Sequence, residues 1–169
     1  MGNYAPSTRA RISDLINGMR VETAVVANTV KLIQTQIELF NVHGEIKVHG
    51  LWMEVITDVS ATATTLQFNA TFTTPSIAVA DMTGASASLS GAAQGIRVMS
   101  LGGAIATAPV ITGSAGISDI APADQIIGGA DFVGTIGQVT GTANATSGTS
   151  KFVLYYTPLS DGAYVESVY

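Results

Sequence analysis

Hydrophobic and polar positions alternate most clearly between Leu39 and Val59. Val42, Ile46 and Val48 fall on one parity with Gly44 among them, and His43, Glu45, Lys47 and His49 fall on the other. A period of two predicts a strand with one buried and one wet face. At Gly50 the phase slips, and the apolar set becomes Leu51, Met53 and Val55 with Trp52 on the opposite parity. A glycine at a phase change predicts a bulge, or a break between two strands of a hairpin. This run reads as the centre of a β-domain.

Val21 to Phe40 carries two patterns. Val26, Val30, Ile33, Ile37 and Phe40 follow a helical stripe, whereas Ile33, Thr35, Ile37 and Leu39 alternate with Gln34, Gln36 and Glu38. The strand reading is preferred because β-branched residues dominate the run. Downstream, Leu66, Phe68, Ala70 and Phe72 share one parity, and Pro75 ends that strand. Short strands follow at Ile77–Ala80, which turns at Asp81-Met82-Thr83-Gly84, and around Ile96, Val98 and Leu101. Ala104–Thr112 is a further strand, pushed to an edge or a bulge by Pro109. Ile117–Gly137, with its glycines and aspartates, reads as a solvated loop. Val139–Ser150 reads as an exposed loop or weak strand, Lys151–Thr157 as a closing strand, and Ala163–Tyr169 as a short tail. About seven to nine strands without a long amphipathic helix predict an all-β fold, a single jelly-roll-like antiparallel β-sandwich. The expected boundaries are an extended N-terminal arm over residues 1–20 and a sandwich over residues 21–169.

Composition narrows the function. The chain has 169 residues, 47% hydrophobic but only 11% charged, so much of its surface is Thr, Ser, Ala and Gly. Such a surface suits a protein that sits against partners. A net charge of −5 argues against nucleic acid as a partner, because phosphate neutralisation needs clustered Lys and Arg. With no cysteine, disulfide frameworks, thiolate metal sites and Cys nucleophiles drop out. The start is polar, with Arg9 and Arg11 and no apolar run after them, and reads without a secretory signal. The long uncharged run Val98 to Ser118 holds Pro109 and several Gly, which makes it a poor membrane span. No membrane partner is expected.

Candidate chemistry is sparse. Asp119, Asp124 and Asp131 could hold calcium through their oxygens, but their spacing lacks the tight D-x-D-x-D-G loop. His43 and His49 stand about 20 Å apart on a straight strand, too far to share one ion. Glu54 and Asp58 are a weak candidate for a carboxylate pair. Hydrolase elbow, Walker loop and Rossmann fingerprint are all missing from the sequence. An enzyme is therefore not expected, and no cofactor or metal is assigned. Arg97, alone in apolar surroundings, is expected to pair with Asp81, Asp119, Asp124 or Asp131. Trp52, Tyr155 and Tyr156 could line a sugar site, and otherwise pack in the core or an interface. Arg9, Arg11 and Arg20 suit an arm that docks on acidic partner surface, and His43, Glu45, Lys47 and His49 form a polar stripe suited to a subunit contact.

The layout Leu39-Phe40-Asn41-Val42 to Gly44, then Glu45 to Val55, then the Thr/Ala-rich Ala61 to Phe68, resembles small structural proteins of tailed-bacteriophage virions. The ending is similar too, with Phe152 to Thr157 as a strand that closes in Pro158-Leu159-Ser160-Asp161-Gly162-Ala163. The kin it points to are capsid decoration (cement) proteins, many of them jelly-roll-like. The resemblance covers about residues 39–84 and 150–165, while the Ala/Gly/Ser-rich middle, residues 85–149, departs from it. It implies a non-enzymatic protein of the virion, made in the host cytoplasm. Such a protein binds the outer capsid surface as a homodimer or homotrimer and bridges major capsid protein subunits. A tail or head-fibre component is the structural alternative. A carbohydrate-binding module built on Trp52 and the tyrosines is the alternative from another class.

Overall fold

The computed structural model describes residues 18–62, 64–74, 76–100, 110–112, 125–129, 132–141 and 143–169. The aspartates at 119, 124 and 131, and Arg9 and Arg11, lie outside them. The described residues form an all-β sandwich of two antiparallel sheets. Sheet A runs β1 (Met19–Glu22), β11 (Thr149–Pro158), β4 (Ile46–Thr57), β7 (Arg97–Ser100) and β8 (Val110–Thr112). The two-residue β2 (Val26–Ala27) also lies along β11, and β9 (Gln125–Ile127) also lies along β4. Sheet B runs β12 (Tyr164–Ser167), β3 (Ile37–His43), β10 (Val133–Val139), β5 (Gln67–Thr74) and β6 (Ser76–Asp81).

The core lies between the sheets. Phe40, Phe68, Phe152, Leu154, Ile46 and Met53 are fully buried there. Phe68 of sheet B meets Phe152 of sheet A edge to face, ring centroids 6.5 Å apart. Each strand contributes alternate residues to this layer because successive side chains point to opposite faces.

The phase slip at Gly50 is a bulge inside one strand. Gly50 faces Tyr155 while Val48 faces Tyr156, so His49 is the extra residue on β4. The strand expected to run through Gly44 is instead broken there by a corner. β3 belongs to sheet B and β4 to sheet A, so the chain changes layer between them. Gly44 makes that corner with φ +75°, and a Cβ there would stand 2.7 Å from Ser160 Oγ and 2.8 Å from Ala163 Cβ. Its N–H donates to the Phe132 carbonyl at 2.8 Å. Glu45 N donates to Ser160 Oγ at 2.9 Å, and the Glu45 carbonyl accepts from Leu159 N at 2.8 Å.

Residues 21–40 combine both patterns that their sequence allowed. β1 and β2 precede a one-turn helix, α1 (Asn28–Lys31), and β3 begins at Ile37. Three strands were not expected. β9 and β10 lie in the stretch read as a loop, and β12 lies in the stretch read as a tail. The expected boundary after residue 20 falls inside β1, so Arg20 belongs to sheet A rather than to an arm.

Candidate functional site

The outer face of sheet A collects the side chains most suited to recognition. Pairing aligns Glu22 of β1, Val153 of β11, Trp52 of β4 and Met99 of β7 in one row. These residues point away from the core, opposite to Phe152, Leu154, Met53 and Val98. Val153 is nonetheless 0% exposed and Met99 2%. With Trp52 and Tyr155 they are the apolar cluster of this face. Trp52 and Tyr155, diagonal neighbours across β4 and β11, stack with centroids 6.4 Å apart and planes 18° apart. Trp52 Nε1 is buried and meets no acceptor among the described residues.

A ladder of alternating charge frames the cluster. Arg97 Nη2 lies 4.0 Å from Glu54 Oε1, and Lys151 Nζ lies 3.5 Å from Glu54 Oε2 and 3.8 Å from Glu22 Oε2. Arg20 closes on Glu22 Oε2. The ladder follows from the strand register, since Lys151 faces Glu54 and Glu54 faces Arg97. Three of the chain's seven Lys/Arg are committed to it. Each exposed pair is worth only about 0–1 kcal/mol. Its value lies in holding the long side chains in fixed order across four strands.

Several expected placements change. Arg97 is half-buried and paired as expected, and among the described residues it lies beside Glu54, while Asp119, Asp124 and Asp131 lie outside them. Asp81, one of its expected partners, ends β6 in sheet B, whereas Arg97 starts β7 in sheet A. Glu54 and Asp58 do not work as a pair, because Glu54 faces the two cations and Asp58 Oδ1 accepts from Gln94 N at 2.8 Å. Of the three aromatics considered for a sugar site, Trp52 and Tyr155 come together. Tyr156 faces the core, where its hydroxyl accepts from Val165 N at 3.1 Å.

The polar stripe His43, Glu45, Lys47 and His49 is not one surface, because the corner at Gly44 divides it. His43 ends β3 on sheet B, where it stacks on Tyr164 at 4.4 Å and 10°. Its Nε2 lies 3.8 Å from Glu166 Oε1. Glu45 sits in the corner itself. Lys47 and His49 lie on sheet A, with His49 Nε2 2.8 Å from Thr157 Oγ1. Among the described residues, no group of three or more His, Cys, Asp or Glu could hold a metal ion.

Glu22, Lys151, Met99 and Val153 were not singled out from the sequence. The one available signal was the parity of Glu54 with Trp52. The partners come from strands far away in the chain, whose register only folding sets.

These features define a β-sandwich whose sheet A carries an aromatic outer face framed by charge. No family model matches the chain, and no curated protein or solved structure is similar to it.

Proposed function

We propose that the protein is a non-enzymatic structural component of a bacteriophage virion. It docks on the outside of the capsid and cements neighbouring major capsid protein subunits as a small homo-oligomer. The observation that carries this reading is the outer face of sheet A. Trp, Tyr and Arg are the residue types enriched where protein interfaces carry their energy, and Trp52, Tyr155, Arg97 and Arg20 lie together there. The charge ladder supplies orientation and discrimination between partners more than affinity. The virion assignment rests on the strand-and-turn resemblance of residues 39–84 and 150–165, together with the low overall charge. In this reading the segment holding Arg9 and Arg11 is an additional staple.

The test is occupancy on purified expanded capsid shells. Trp52→Ala is expected to weaken binding at least tenfold, since truncation of an interface anchor costs about 2 kcal/mol or more. Unchanged occupancy by a folded Trp52→Ala protein overturns the assignment of this face. Removing residues 1–17 leaves β1 intact, and unchanged occupancy then removes the arm from the mechanism.

The near-parallel Trp52 and Tyr155 rings, edged by carboxylates and guanidinium groups, favour one second reading, a carbohydrate-binding module. A glycan array separates the two. Glycan binding that Trp52→Ala abolishes, without any shell binding, selects the module.

A further inference from the structure

Lys31 is 4% exposed, yet among the described residues no carboxylate lies within ion-pair distance of it. Its recorded partner is the ring of Tyr169, whose centroid lies 2.9 Å from Nζ. Burying an ammonium without an anion is costly, and a ring face offsets only about 1–2 kcal/mol of that. The three N–H donors of the ammonium have no hydrogen-bond acceptor among the described residues.

Two exposed valines stand close to Lys31 along the chain. Val30, the neighbour of Lys31 on α1, is 56% exposed, and Val25 is 54% exposed. Val25 is held beside the cap, because Ala24 N donates to the Tyr169 carbonyl at 3.1 Å. The Tyr169 backbone is pinned by that bond and by Ser167 Oγ, which donates to the Tyr169 carbonyl at 2.6 Å and accepts from its N–H at 3.2 Å. Tyr169 as a whole is 44% exposed. Its ring can therefore turn off the ammonium about χ1 without unzipping the strand behind it.

We propose that Lys31, capped by the Tyr169 ring and bordered by Val25 and Val30, receives a carboxylate flanked by an aliphatic side chain on a protein partner. The carboxylate displaces the ring and supplies the charge-assisted hydrogen bonds that the ring cannot. Val25 and Val30 receive the aliphatic group. The site lies in α1, between β2 of sheet A and β3 of sheet B along the chain. This inference rests on the docking role for the nature of the partner, and it supplies the second contact that bridging two subunits requires.

The experiment is an NMR titration of the full chain carrying ¹³C-labelled Lys and Tyr. The probe is N-acetyl-leucine, with N-acetyl-leucinamide as the neutral control. Saturable shifts of the Lys31 Cε and Tyr169 ring signals are expected with the acid alone, and are expected to vanish in Lys31→Met. Tyr169→Leu, at an exposed residue, is expected to keep or strengthen the Lys31 response because nothing then competes for the ammonium. No saturable change, an equal change with the amide, or loss of the Lys31 response in Tyr169→Leu overturns the proposal. Because no shell enters the titration, its failure leaves the Trp52 test standing, and the reverse also holds.

Discussion

Gly134 and Gly137 sit in the middle strand of sheet B, in a stretch that reads as a loop in the sequence. Glycine costs strand stability in general, so a run holding two of them scores poorly as a strand. Each is required by a close approach. A Cβ on Gly134 would lie 2.5 Å from the Thr71 carbonyl oxygen, and one on Gly137 would lie 2.6 Å from that of Ile37. The bare backbone at Gly137 also lets Gln36 reach across β10 and donate from Nε2 to Thr71 Oγ1 at 2.7 Å. Gly137→Ala is expected to cost about 1–3 kcal/mol, as overpacking against backbone does. Gly129→Ala, with nothing within 4 Å of its Cβ, is expected to stay within about 0.5 kcal/mol of the parent. Urea denaturation of the two variants side by side checks this. Equal stabilities would show that β10 tolerates a side chain at this position.

At the scale of the element, β12 shows why a tail was expected and a strand is found. Tyr164 to Ser167 is too short to display an alternation of its own, and its pairing partner β3 lies more than a hundred residues earlier. Its anchors are all tertiary. Val165 is buried in the core, and its N–H is received by the Tyr156 hydroxyl. On the outer side Tyr164 stacks on His43, and Glu166 Oε1 accepts from Asn41 Nδ2 at 3.4 Å. Tyr156→Phe removes one acceptor and leaves the Val165 N–H buried without it. The expected loss is about 1–3 kcal/mol, with faster amide exchange at Val165 than in β4. Protection at Val165 that does not change would mean that β12 is held by its ladder alone. β4, by contrast, was legible in detail. Its alternation, its phase slip and the bulge at Gly50 all follow from residues adjacent in sequence.

At the scale of the molecule, the two sheets are joined through contacts such as that of Phe68 with Phe152. Phe152→Ala is expected to destabilise by about 3–5 kcal/mol through lost burial and the cavity it leaves. Since a domain of this kind has only about 5–15 kcal/mol of stability in total, a melting curve will show the loss clearly. A cost below about 1 kcal/mol would show that the sheets close over the gap.

The sequence alone determined the class of fold, the inward-facing residues of β4 and β5, and the place of the bulge. Those features depend on a period of two and on local glycine and proline chemistry, which neighbours in the chain specify. The tertiary structure decided the rest. It divided the polar stripe at the Gly44 corner between two sheets, turned Tyr156 inward while Tyr155 stayed out beside Trp52, and paired Arg97 with Glu54. Each of these depends on which strands become neighbours and in what register. Burial of the whole core sets that register, and no short window of sequence contains it.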